Sequence, residues 1–175
     1  MLGYIATRAV PIAIALGAET QLLSSRENNI RLFGLVIVSN LLASGVTMIS
    51  LGMRVGKART EYKVPLPAMY ANENTEDAKK FNSVQRGHQQ ALETYPFFLA
   101  GSAIAGTRFP VTTSLAGLLY CAARIKWADN YRDEGADNRY NSWLAKQIWT
   151  PLVILMLSSL GLATELILDV HKGIL

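Results

Sequence analysis

One stretch of the chain carries ionisable side chains into an apolar run, in FNSVQRGHQQALETYPFF at residues 81–98. In a helix, Arg86, Gln90 and Glu93 stand at i, i+4 and i+7 and share one face. A guanidinium binds a carboxylate through two parallel hydrogen bonds, and a carboxylate suits a ligand ammonium. The face therefore predicts either a site for a polar ligand or an internal Arg86–Glu93 ion pair that only fixes helix packing.

A second polar and aromatic face follows later in the chain. Arg124, Trp127 and Tyr131 stand at i, i+3 and i+7, again on one side of a helix. Ionisable residues of membrane helices usually face the bundle interior or a water-filled cavity, so the two faces should converge. Their functional groups suit an anionic ligand with two carboxylates, one amine and a thiol, and glutathione is one such molecule.

Four apolar stretches must position these faces. Leu32 to Met53 and Gln147 to Thr164 carry no charge and are about as long as a ~30 Å hydrocarbon core requires. Gln89 to Thr107 and Phe109 to Ala123 are weaker spans joined by a tight turn. Soluble bundle helices show polar stripes, which the first and last spans lack. The sequence predicts an all-α membrane four-helix up-down bundle with an N-terminal extension.

The domain plan follows from the spans. Residues 1–31 form an N-terminal extension, expected to be an interfacial helix or a partner-contacting arm, because its apolar run Ala9 to Ala18 is too short to span. Residues 32–167 form the membrane domain, and 168–175 a C-terminal tail. The loops 54–86 and 124–146 hold 12 of the 17 Lys and Arg residues, which predicts that both lie on the cytosolic or matrix side.

Composition argues against other kinds of site. A single cysteine, Cys121, excludes an internal disulfide, and the two histidines lie far apart in sequence. We therefore expect no metal site. The sequence contains no phosphate-binding glycine loop and no nucleic-acid-binding motif, so the expected partners are the lipid bilayer and other membrane subunits.

Two segments carry a family resemblance, RVGKARTEYKVPLPAMYA and FNSVQRGHQQALETYPFFL. They resemble the membrane-associated proteins in eicosanoid and glutathione metabolism (MAPEG), and most of all the type-3 microsomal glutathione transferases. The resemblance extends from about Leu32 to Thr164. It implies a four-helix subunit, a homotrimer, and glutathione as a substrate held between neighbouring subunits.

The resemblance also implies roles for single residues. Arg139 would stabilise the thiolate, since an adjacent guanidinium lowers the pKa of a thiol. The other positions would bind glutathione, and they are Arg59, Arg86, Gln90, Glu93, Arg124, Trp127 and Tyr131.

Three features depart from the family pattern. Gln90 replaces an asparagine, Trp127 replaces a tyrosine, and the loop DNYRDEGADNR places four carboxylates around Arg139. Together with the extension and the tail, these departures favour a structural accessory subunit of a larger membrane complex, with a degenerate glutathione site. The expected complex is a respiratory complex of the mitochondrial inner membrane. The alternative is an active glutathione transferase or peroxidase acting on lipophilic electrophiles, in the endoplasmic reticulum.

Overall fold

A computed structural model of the chain describes residues 16, 17, 19, 26–72 and 74–173. Helices are the only regular elements in this part of the chain, and we number them in order. They are α1 (Arg26–Val36), a π-helical turn (Ile37–Leu42), α2 (Ala43–Glu61), α3 (Glu76–Gly106), α4 (Pro110–Glu134), the short α5 (Trp143–Lys146) and α6 (Thr150–His171). The segments from α1 to α2 form one long helix, α3 and α4 form the second and third, and α5 with α6 forms the fourth. The predicted all-α four-helix membrane bundle is confirmed.

Two of the helical stretches are long and apolar enough to cross a membrane, Ile30–Glu61 and Trp143–His171. They contain the two spans that the sequence predicts most clearly. Their outward apolar side chains are widely exposed, as at Val46 (66%), Leu160 (61%) and Ile167 (69%). Such surfaces are rare on soluble monomers and suit contact with hydrocarbon.

The two middle helices are longer than the predicted spans. Helix α3 begins at Glu76 and α4 continues to Glu134, so much of each predicted basic loop is helical. Charged residues mark the edge of the hydrocarbon layer, but they do not end a helix, because Lys, Arg and Glu are good helix formers. The predicted polar faces therefore lie on regular helix.

Contacts define two compact units within the chain. Of the described residues, the first unit comprises those up to 42, 97–118 and 149–173, and the second comprises those of 43–96 and 119–148. All eight residues that the sequence assigns to the site belong to the second unit.

A buried asparagine joins the helices of the first unit. The π-helical turn buries Ser39 and Asn40. The Asn40 amide donates to Ser102 Oγ at 2.8 Å on α3 and to the Thr113 carbonyl at 3.1 Å on α4. Ser39 Oγ in turn donates to Asn40 Oδ1 at 2.6 Å. Polar side chains of this kind connect membrane helices because hydrocarbon offers them no other partner.

The predicted extension meets the helical domain at Glu19. Its buried carboxylate accepts hydrogen bonds from the backbone N–H groups of Val111 (2.7 Å) and Thr112 (3.0 Å), and also from the Thr112 hydroxyl. These N–H groups lie in the first turn of α4, where no intrahelical acceptor exists. A negative charge at that end is also favoured by the helix dipole. The interpretation of Ala9 to Ala18 as an interfacial helix concerns residues that, apart from 16 and 17, lie outside those described.

We expect Glu19→Ala to lower the free energy of unfolding by about 1–2 kcal/mol, the usual cost of losing a helix N-cap. Thermal unfolding of the detergent-solubilised protein measures this, with Asp137→Ala as the control, because Asp137 is an exposed acid far along the chain from α4's first turn. Equal unfolding temperatures for the two variants would contradict the capping role.

Candidate functional site

The outer face of α3 carries an ion pair between Arg86 and Glu93. Arg86 Nη1 donates to Glu93 Oε1 at 2.6 Å, and the two side chains are 38% and 46% exposed. This short distance fits both interpretations of the face, an internal ion pair that fixes helix packing and a site for a polar ligand. Because the pair is exposed on the single chain, it is accessible from outside the chain.

A second arginine lies inside the same unit. Arg124 is 1% exposed, and its Nη1 donates to Gln90 Oε1 while its Nη2 donates to Thr94 Oγ1 at 2.8 Å. The guanidinium also lies over the Tyr120 ring, 4.9 Å from the centroid. Of the two predicted faces, only Gln90 and Arg124 meet; Arg86 and Glu93 lie on the outer surface of α3. Because Gln90 is also buried, the contact between Gln90 and Arg124 is closed.

Trp127 and Tyr131 form an aromatic cluster on α4. Their ring centroids are 5.1 Å apart, and Tyr140 meets Trp127 edge-on at 6.3 Å. Trp127 is 3% exposed and packs with Ala145 and Ile148, whereas Tyr131 is half-buried. Within the single subunit, Tyr131 is the more accessible of the two aromatic residues assigned to the site.

Arg59 shapes the loop between α2 and α3. Its Nη1 donates to the carbonyl oxygens of Ala68 at 2.7 Å and Val64 at 3.5 Å. The guanidinium also lies 5.1 Å from the centroid of the Phe81 ring. Arg59 is half-exposed, so this anchoring role leaves part of its guanidinium accessible.

Arg139 has neutral partners. Its Nη1 donates to the Ala136 carbonyl oxygen, and its guanidinium lies 5.0 Å from the Tyr140 ring centroid. The structural interpretation of the sequence expects Arg139 to pair with Asp133, Glu134 or Asp137, or with a neighbouring chain. Among the described residues, Arg139 forms no ion pair with these three acids. Asp133 pairs with Arg132 at 2.6 Å, and Glu134 accepts from Asn141. The hydrogen bond from Arg132 lowers the pKa of the Asp133 carboxyl, which stays ionised and paired at neutral pH.

The structure adds residues that sequence reasoning missed. The Tyr70 hydroxyl donates to Gln89 Oε1 on α3. Tyr70 could not be assigned to the site from the sequence, because no periodic spacing connects a loop residue to a helix face. Thr94 was also missed, although it lies one turn after Gln90 on the same helix.

Residues 37–160 match the profile of the MAPEG family. Over 123 residues the chain is 34% identical to microsomal glutathione S-transferase 2 of Mus musculus, an alignment that covers 67% of this chain and 78% of that protein. The matched region contains all eight predicted site residues and leaves Glu19 outside.

Proposed function

The chain belongs to the MAPEG family of membrane proteins, and on that basis we propose that it is a membrane glutathione S-transferase or glutathione peroxidase. Its substrates would be glutathione and lipophilic electrophiles that enter from the bilayer. The observation that carries the proposal is the accessible Arg86–Glu93 pair on the outer face of α3.

The pair suits the γ-glutamyl end of glutathione. This end carries an ammonium and a carboxylate on one carbon atom, so its two charges lie close together. Arg86 would bind the carboxylate and Glu93 would bind the ammonium. Each of the two side chains would then contact a ligand charge in place of its partner in the 2.6 Å ion pair. Arg59 and the half-buried Tyr131 would supply further polar contacts to the peptide.

Arg139 is the proposed thiolate-stabilising residue. Beyond the bond from Nη1 to Ala136, its guanidinium makes no hydrogen bond to the rest of the described chain. A guanidinium next to the glutathione sulfur would favour the thiolate. In conjugation, the thiolate sulfur forms a bond to an electrophilic carbon, which expels its leaving group with the bonding electron pair. In the peroxidase reaction, two glutathione molecules reduce a hydroperoxide to an alcohol and water and become a disulfide.

The half-exposed face of α3 also suits a subunit boundary. We propose a homotrimer in which the Arg86–Glu93 pair faces the neighbouring subunit and glutathione lies between the two. A ligand enclosed in this way would be shielded from water, which strengthens charge interactions. The relative is named as a microsomal protein, so the endoplasmic reticulum membrane is the proposed location.

Titration of glutathione while its thiolate absorbance is recorded tests the enzyme proposal. We expect the purified protein to give a thiolate signal at neutral pH, and Arg139→Ala to lose most of it while binding weakens less than tenfold. Arg132→Ala serves as the control, because it removes another guanidinium close by in the chain that is already paired with Asp133. A wild-type protein that binds no glutathione would refute the proposal.

A second candidate is a structural accessory subunit of a larger membrane complex, including a respiratory complex of the mitochondrial inner membrane. One observation favours it: Gln90, Arg124 and Trp127, three residues that the resemblance assigns to the ligand, are buried within the subunit. This candidate predicts no glutathione binding and co-migration of the native protein with unrelated subunits in a non-denaturing gel. A homotrimer of the isolated chain that binds glutathione would exclude it.

A further inference from the structure

The loop between α2 and α3 is anchored at two points. At the first, Arg59 Nη1 donates a hydrogen bond to the Ala68 carbonyl oxygen at 2.7 Å. Further along, the Asn82 side chain forms two hydrogen bonds with the backbone of Ala71, accepting from its N–H at 2.8 Å and donating to its carbonyl at 3.0 Å. Tyr70 lies between the two anchors, so its position is fixed by the backbone on both sides.

This anchoring places the Tyr70 phenol against the ligand face of α3. Its hydroxyl donates to Gln89 Oε1. Gln89 lies three residues after Arg86 and four before Glu93, on the same side of the helix. Tyr70 also lines an open cavity of about 520 Å³ formed by the loop and the start of α3, and its side chain is half-buried.

We propose that Tyr70 is a further ligand-contacting residue of this site, whose hydroxyl binds the α-carboxylate of the γ-glutamyl end beside Arg86. The inference rests on the proposed glutathione function and adds a residue on which binding specificity depends. In the free protein the hydroxyl donates to a neutral amide oxygen. A ligand carboxylate is a stronger acceptor, and the Gln89 amide can turn to donate to the phenol oxygen in exchange.

The test compares the dissociation constants of two ligands for the wild-type protein and Tyr70→Phe, by calorimetry in detergent. The first ligand is glutathione, and the second is γ-aminobutyryl-cysteinyl-glycine, which lacks the α-carboxylate but keeps the amine, thiol and glycine. We expect Tyr70→Phe to weaken glutathione binding about tenfold, as for a hydrogen bond to a charged group. Binding of the decarboxylated ligand should stay within twofold of the wild type.

The matched control is Tyr62→Phe, which removes a phenol hydroxyl from the same loop and cavity wall. It should leave both dissociation constants unchanged. If Tyr70→Phe weakens the binding of both ligands equally, Tyr70 only holds the loop in place. If glutathione binding is unchanged, Tyr70 does not contact the ligand. Either result overturns this inference and leaves the proposed function standing. A wild-type protein that binds neither ligand overturns the proposed function together with the inference.

Discussion

Replacing Arg86 with alanine is expected to weaken glutathione binding at least 100-fold while the protein stays folded. Arg86 is the cation proposed to bind the α-carboxylate, and in the variant the Glu93 carboxylate would face that group with no cation between them. Removing one partner of a charged contact leaves the other charge uncompensated, and this accounts for most of the loss. Calorimetry or equilibrium dialysis with the purified protein measures the effect.

The control for this prediction is Lys79→Ala on the same helix. Lys79 pairs with Glu76 at 2.9 Å, and both side chains are more than half exposed. Exposed ion pairs contribute only about 0–1 kcal/mol to stability, so neither variant should unfold the protein. Arg86→Lys keeps the charge but loses the planar fork, and it should bind with intermediate affinity. Retention of wild-type affinity by Arg86→Ala would refute the site.

The helices were predictable from the sequence because their signal is local. An uncharged stretch such as Leu32 to Met53 is typical of a membrane span whatever surrounds it. The spacing of Arg86 and Glu93 likewise implied a common face, and the structure places them 2.6 Å apart. Apolar runs and i, i+4, i+7 spacings depend only on helix geometry.

The same spacing could not separate the ligand face from the helix interior. At about 100° per residue, Gln90 and Glu93 point about 60° apart around the helix axis. Because of that difference, Gln90 packs against Arg124 and is only 6% exposed, while Glu93 reaches the outer surface. Which of the two directions is inward depends on where α4 packs, and that information is absent from the periodicity of α3.

Loop residues were less predictable still. Tyr70 reaches α3 because hydrogen bonds from Arg59 and Asn82 fix the backbone on either side of it. These contacts join positions that no repeat or helical spacing relates. The π-helical turn at Ile37–Leu42 is a similar case, since its apolar residues suit an ordinary α-helix equally well.

Gly117→Ala is expected to destabilise the protein by about 2–4 kcal/mol, a large effect for the addition of one methyl group. A Cβ at Gly117 would overlap Oδ1 and Cγ of Asn40. Asn40 is 1% exposed and cannot turn away without losing its hydrogen bonds to Ser102 and Thr113. The substitution must therefore either separate the helices or break the buried polar contacts. Thermal unfolding in detergent measures the change.

Two further variants identify the cause. Gly45→Ala adds the same methyl group to a helix position where nothing lies within 4 Å, and it should be neutral or slightly stabilising, because alanine is the better helix former. Asn40→Ala removes the atoms that the new Cβ would meet. Adding Gly117→Ala to that background should cost at least 1 kcal/mol less than adding it to the wild type, which is the signature of a direct contact in a double-mutant cycle. If Gly117→Ala lowers the free energy of unfolding equally in both backgrounds, the destabilisation does not come from a contact between the new methyl group and Asn40.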